Sequence, residues 1–228
     1  MTIHVLVEGP SERELLERWA PRALGLAITV RVHPHRGKGQ LPADLDAVPG
    51  PQRQGLLDQL PAKLRAFANA LNLETDSVLV LVDADDDDPT ALAQRIEDAA
   101  KRVAEGLRVL VRLAVEETEA FYLGDLGGLE RAYPDADMAE ARDYVPDSIC
   151  GTWELFGRIV RDGGENKVDW AESMGATLTT VAGRSRSPSF RAFVQGIRTV
   201  ASMRPKPART KRAYRHPGKK RDEPGKRR

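Results

Sequence analysis

The chain has 228 residues, 41% hydrophobic and 30% charged, proportions ordinary for a soluble globular protein with one sizeable core and a small appended subdomain. No apolar run approaches the ~18 residues of a membrane span, no signal peptide is visible in the opening residues, and the single cysteine, Cys150, excludes an intramolecular disulfide. A reducing, cytoplasmic setting is expected, with Cys150 a small buried hydrophobe rather than a nucleophile.

The net charge of +1 conceals an asymmetry. Residues 204–228 carry 12 Lys and Arg against Asp222 and Glu223, which leaves 23 basic and 32 acidic side chains in the other 203 residues. This tail holds Pro205, Pro207, Pro217 and Pro224 and almost nothing apolar, so a disordered basic tail is expected. Its cations suit the phosphates of nucleic acid; docking on the acidic body is the other reading, and both stay open.

In chain order, Ile3 to Val7 is a continuous apolar run broken by one His, the mark of a strand buried on both faces. Ser11 and Glu14 have the spacing of a capping box, so a helix is predicted from there, with Leu15, Leu16, Trp19 and Ala23 inward. A second strand is predicted over Ile28 to Val32, followed by a basic, glycine-rich loop from His33 to Pro42. Gln52 to Leu71 reads as a helix that Pro61 must begin, kink or split. Ser77 to Val82 is the clearest strand and runs into Asp83-Ala84-Asp85-Asp86-Asp87-Asp88, where Asp88 and Pro89 suit a helix start. Leu107 to Val115 is the fourth strand, followed by Glu116-Glu117-Thr118-Glu119 and a short helix with Phe121 and Tyr122. Beyond residue 125 the pattern weakens into helical pieces near Asp169–Met174 and Ser189–Val200.

Alternating strands and helices predict an α/β fold, a mostly parallel four-stranded Rossmann-like sheet flanked by helices. The expected units are 1–124 as the α/β domain, 125–203 as a helical C-terminal subdomain packed on it, and 204–228 as the tail. Right-handed crossovers place every strand's carboxyl end on one edge, where ligands bind in open α/β sheets.

Three segments deliver carboxylates to that edge: Glu8 after the first strand, Asp83 and Asp85 after the third, and Glu116 to Glu119 after the fourth. If strands one and three are neighbours, about 4.8 Å apart, Glu8 and Asp83 can share an ion. Hard oxygen donors of this kind suit Mg²⁺ or Mn²⁺. Helix capping is the plainer role for Asp86, Asp87 and Asp88, and it stands beside a ligand role for Glu116, Glu117 and Glu119.

A strand ending in Glu within VEG and a later strand ending in Asp-x-Asp resemble the TOPRIM fold of topoisomerases, DnaG-type primases and OLD-family nucleases. The resemblance implies that Glu8 is a general acid or base, that Asp83 and Asp85 hold Mg²⁺ for phosphoryl transfer on nucleic acid, and that Asp87 is the third acidic position. The stretches HVLVEGPSE, HPHRGKGQLP, QGLLDQLPAKLRAF, VLVLVDADDDD, EETEAFYLGD, DSICGTWELF and RSRSPSFRAF, spanning residues 4–193, are similar to a bacterial domain-of-unknown-function family, number forty-two seventy-six. Some members of that family are encoded beside an ATPase, which implies a two-component defence or DNA-processing system. This chain has no Walker motif of its own. Lys167 in GENKVDW becomes a candidate active-site lysine through its family position alone.

Arg36 and Lys38 lie between glycines in the loop after strand two, and both are candidate phosphate contacts, with Lys38 also placed to offset charge in a transition state. His33 and His35 are softer candidate ligands, which the surrounding carboxylates argue against. Arg186 and Arg191 flank a serine-rich turn into a helix and suit phosphate, although a serine-capped helix explains the turn equally. Trp153, Phe156, Trp170 and Phe193 are expected to be core rather than a base-stacking platform.

The leading expectation is a Mg²⁺- or Mn²⁺-dependent TOPRIM-like nuclease or phosphoryl-transfer enzyme. Its metal ligands would be Glu8, Asp83, Asp85 and Asp87, with Glu116 and Glu119 in reserve and nucleic acid and an ATPase subunit as partners. Two rivals stay open: a metal-binding interaction module that regulates an ATPase, and an Asp-x-Asp nucleotide-sugar transferase.

Overall fold

The structure, a computed structural model, describes residues 1–149, 151–162 and 166–203. Cys150 and the basic segment 204–228, each the subject of an expectation above, lie outside the described residues.

Strands β1 (Thr2–Val7), β2 (Thr29–Pro34), β3 (Ser77–Asp83) and β4 (Val109–Ala114) form one parallel sheet in the order β2-β1-β3-β4. The register sets Val5 opposite Val32 on one side and Leu79 on the other, with Leu79 in turn opposite Leu110. The first and third strands are therefore neighbours, and Glu8 and Asp83 emerge side by side at the carboxyl edge. The unbroken apolar runs of β1 and β3 have a simple cause: both faces of these central strands are covered.

Successive residues alternate between two clusters. Ile3, Val5, Val7, Leu79 and Leu81 point to the larger one, which holds Leu15, Leu16 and Trp19 of α1 (Pro10–Leu24). Leu6, Val78, Val80 and Val82 point to the other, built from Leu56, Leu57, Leu60 and Leu64 of α2 (Leu56–Ala70) and Leu92 and Ile96 of α3 (Pro89–Val103). Burying each large apolar side chain is worth roughly 1.5–3 kcal/mol, so these two layers carry most of the stabilisation.

Among the described residues six further α-helices follow: α4 (Glu119–Gly124), α5 (Leu126–Ala132), α6 (Met138–Asp143), α7 (Thr152–Val160), α8 (Lys167–Thr177) and α9 (Pro188–Ser202). Phe121, Tyr122, Phe156, Trp170, Phe190 and Phe193 from this part join the larger cluster, so the C-terminal helices share one core with the sheet. Trp153 is only partly buried, against that core. Helix α8 lies so close to α1 that a Cβ at Gly175 would stand 2.8 Å from the Leu15 carbonyl oxygen. This approach fixes the N-terminus of α8, and with it Lys167, relative to α1. No helix among the described residues is long and apolar enough to cross a membrane.

Two local expectations are corrected. The first helix is not capped by Ser11 and Glu14: Gly9 is the N-cap, Pro10 the first helical residue, and Glu12 Oε2 accepts the Gly9 N–H at 2.7 Å. Proline fits the first turn because it lacks the donor that would go unpaired there, so the helix starts early and Glu12 occupies the reciprocal position. The second helix begins at Leu56 rather than near Gln52, with Asp58 accepting the Gly55 N–H at 3.2 Å, and Pro61 lies inside it without ending it. Asp88 caps α3 through the Ala91 N–H at 2.7 Å, ahead of Pro89.

Candidate metal centre

Where the β1–β3 ladder stops, side chains continue the connection. Glu8 Oε1 accepts the backbone N–H of Asp83 at 2.8 Å, and the Thr118 hydroxyl donates to Asp83 Oδ1 at 2.9 Å. Thr118 precedes α4, and the next residue, Glu119, is buried. Glu12, buried in the first turn of α1, completes a group of four carboxylates drawn from β1, α1, β3 and α4. Glu8 and Asp83 are partly exposed and form its open side.

These charges disturb one another. The Glu8 carboxyl is pushed up to about 7, by burial first and then by Glu12 and Asp85, against the opposing Asp83 N–H bond and Lys38. Asp83 is held well above the ordinary carboxylate range, again by burial first and then by Glu12, Glu8 and Glu119. Burial pushes Glu119 up to about 7 even though Lys167 opposes it. Carboxylates crowded out of water disfavour their own ionisation, and a nearby cation reverses that.

The four glutamates and aspartates named so far do not include all those expected. Glu116, at φ 61, spends both oxygens on the N-terminus of α7, accepting the N–H of Gly151 at 2.6 Å and of Thr152 at 3.1 Å. Glu117 accepts the Trp153 N–H at 3.1 Å and pairs with Lys167 Nζ at 3.0 Å. That ammonium also lies 5.0 Å from the centre of the Trp153 ring and feels Glu119 and Asp83. Its pKa is raised: burial works against the charge, but Glu119 and Glu117 outweigh it. Lys167 is thereby brought to the carboxylate group from the far end of the sequence.

Asp85 and Asp87 are held by Lys38 instead. Its Nζ donates to the Ala84 carbonyl at 2.9 Å, to Asp85 Oδ2 at 3.0 Å and to Asp87 Oδ2 at 2.7 Å. Burial opposes the ammonium, yet the bonds to Asp87 and Asp85 raise its pKa, and the bond to Lys38 lowers that of Asp87.

The remaining candidates divide. Arg36 is exposed and lines a cleft of about 270 Å³ with Gln54, Gly55 and Asp58. Arg186 donates to the carbonyls of Arg142 and Tyr144, and Arg191 to those of Ser185 and Arg186, so both guanidinium groups tie down the turn before α9. His33 bonds His4 at 3.0 Å, while His35 bonds the Val7 carbonyl at 2.8 Å and accepts from Lys63 at 2.9 Å. A cleft of about 370 Å³ between β4 and α9, lined by Arg112, Val200 and Met203 among others, shares no residue with the carboxylate group.

Glu12 and Thr118 were not singled out from the sequence. The signal for Glu12 was present: with Pro10 as the first helical residue, Glu12 is the third, the position whose carboxylate reaches back to the N-cap N–H. Thr118 carried no local mark.

The donor set has the chemistry of a hard-cation site, all carboxylate oxygen. Glu119 is buried, and its carboxyl accepts from its own backbone N–H. Among the described residues, however, no three His, Cys, Asp or Glu side chains already stand in a metal-holding arrangement. An ion would have to draw Glu8, Asp83 and Glu119 together, which their mutual repulsion opposes in its absence.

Fold and site together define an α/β protein with a parallel sheet and a group of carboxylates at its carboxyl edge. The chain belongs to the family described as domain of unknown function (DUF4276), whose model matches residues 7–198. No curated protein and no solved structure matches it.

Proposed function

We propose that this protein is a Mg²⁺- or Mn²⁺-dependent enzyme that hydrolyses phosphodiester bonds in nucleic acid, working with a separate ATPase subunit. The observation that carries the reading is the convergence of Glu8, Glu12, Asp83 and Glu119 on one sheet edge, with Lys167 brought in beside them. Such an arrangement is hard to explain by stability, because burying like charges is unfavourable without a cation. The resemblance of Glu8 and the Asp83-x-Asp85 pair to the TOPRIM domains of OLD-family nucleases supports the same reading.

Glu8, Asp83 and Glu119 would hold the ion, while Glu12, whose oxygens accept the Gly9 N–H and the Ser11 hydroxyl, adds negative charge beside it. The ion would supply Lewis acidity and a more acidic water at neutral pH. Glu8 keeps one oxygen on the Asp83 N–H, and its other oxygen would face the ion and the water beside it. Lys167, a charged ammonium beside the group, is suited to face the negative charge that develops on a phosphate. Arg36, exposed on the neighbouring loop, and the cations of residues 204–228 would meet the phosphate backbone.

The test is cleavage of supercoiled plasmid with Mg²⁺ or Mn²⁺ by the wild type and by Glu8→Gln, Asp83→Asn and Lys167→Met, each checked for folding by circular dichroism. Cleavage that all three substitutions reduce by roughly 10²-fold or more supports the proposal. Cleavage that survives them overturns the site. Absence of cleavage with and without the ATPase, while partner binding persists, favours an interaction module.

A further inference from the structure

Lys38 is placed with more care than a surface ion pair requires. The Gly37 N–H on one side of it donates to the Glu8 carbonyl at 2.9 Å, and the Gly37 and Lys38 carbonyls accept from Leu56 and Leu57 at 2.8 and 2.7 Å. On the other side Gly39, at φ +65, lies against Gly55, and a Cβ there would fall 2.3 Å from Asp58 Oδ2. The loop is clamped between the end of β1 and the start of α2, and the Lys38 side chain is only 16% exposed.

The receiving side is equally shaped. Asp85 adopts φ 48, in the left-handed region that disfavours a side chain, and is held there as its N–H donates to the Glu116 carbonyl at 2.9 Å. The Asp87 N–H closes the turn onto the Ala84 carbonyl at 2.9 Å. This conformation presents one carbonyl and two carboxylate oxygens to a single point, all 2.7–3.0 Å from the ammonium. Exposed ion pairs contribute about 0–1 kcal/mol, too little to explain strained backbone on one side and a clamped loop on the other.

We infer that the Lys38 ammonium is a built-in cation filling the position beside Ala84, Asp85 and Asp87, so that the site takes one divalent ion, at Glu8, Asp83 and Glu119, and not two. The inference rests on the reading above that the carboxylate group takes a divalent ion. It changes the role of the second aspartate: Asp85 fixes a lysine rather than a metal. Lys38 supplies a permanent positive charge next to the ion, where a two-metal site would place a second one.

The experiment counts Mn²⁺ bound per full-length chain, by electron paramagnetic resonance of the free ion, for the wild type, Lys38→Met, Asp83→Asn and the double variant Asp85→Asn/Asp87→Asn. Lys38→Met is expected to bind one ion more than the wild type, and the double aspartate variant the same number as the wild type. An unchanged count in a folded Lys38→Met protein overturns the inference. Loss of an ion from the double variant overturns it as well, and that arm stands if Lys38→Met does not fold. The wild-type count decides the earlier reading separately: one ion that Asp83→Asn removes supports it, and none defeats it. The difference between Lys38→Met and the wild type is informative in either case.

Discussion

The backbone N–H of Asp83 donates to Glu8 Oε1 at 2.8 Å, so the carboxylate that follows β1 holds the main chain at the end of β3. One oxygen of Glu8 is thereby a structural acceptor and the other remains for a ligand or a proton. The two uses separate under substitution. Glu8→Gln keeps an acceptor for the Asp83 N–H, whereas Glu8→Ala leaves that donor unpaired, a loss of about 1–3 kcal/mol. Urea unfolding is expected to show Glu8→Ala clearly less stable than Glu8→Gln, and equal midpoints would mean that the bond contributes nothing.

Glu119 makes a pH-dependent contribution whose sign follows from its raised pKa. The folded protein binds this proton more tightly than the unfolded chain, so its stabilising effect is complete below the ordinary carboxylate pKa near 4.5 and is lost as pH rises through about 7. At pH above 7 the buried charge is a burden, on the order of 3 kcal/mol by linkage from that shift. In chelator, Glu119→Gln is expected to raise the melting temperature in mildly alkaline buffer and to change it little in acid. A shift of the same size at both ends would show that Glu119 ionises normally.

The histidines under α2 act in the opposite direction. His33 is held down to about 4, by burial first and then by the neighbouring Lys63, His4, His35 and Arg31. Its neutral form stacks on His4 and lies tilted to Phe67. Stability from this group is present above the ordinary histidine pKa and is lost as pH falls from there toward 4. His33→Phe keeps a ring against Phe67 and removes the titration. Melts across the acid range are expected to fall less steeply for His33→Phe than for the wild type; parallel curves would discount His33.

Gly39 has no room for a side chain. A methyl group there would meet Asp58 Oδ2 at 2.3 Å and the Gly55 Cα at 3.0 Å, at a φ of +65 that disfavours any Cβ. Gly39→Ala is expected to lose about 1–3 kcal/mol and to loosen the Lys38 loop. Urea unfolding combined with amide exchange at Gly37, Leu56 and Leu57 would register both effects, and unchanged exchange would show that the clamp does not depend on Gly39.

How much of this was legible in the sequence depended on the range of the interaction. The strands, the Asp88–Pro89 helix start and the arrival of Glu8 and Asp83 at one edge follow from apolar runs and their polar ends, because a strand covered on both faces admits no other composition. The amino-acid order also separates an acidic body from the basic segment 204–228. Which carboxylates gather at the edge was decided only by tertiary structure. Glu116 and Glu119 are three residues apart in one acidic run, yet the first caps α7 through Gly151 and Thr152 while the second is buried where its charge acts on Asp83. The packing of α8 on α1 brings Lys167 to Glu117, 50 positions earlier in the chain, and the loop clamp brings Lys38 to Asp85 across 47. Local propensity reports what a residue does within a turn of itself; the partner of a charged side chain is set by which distant segments the shared core forces together.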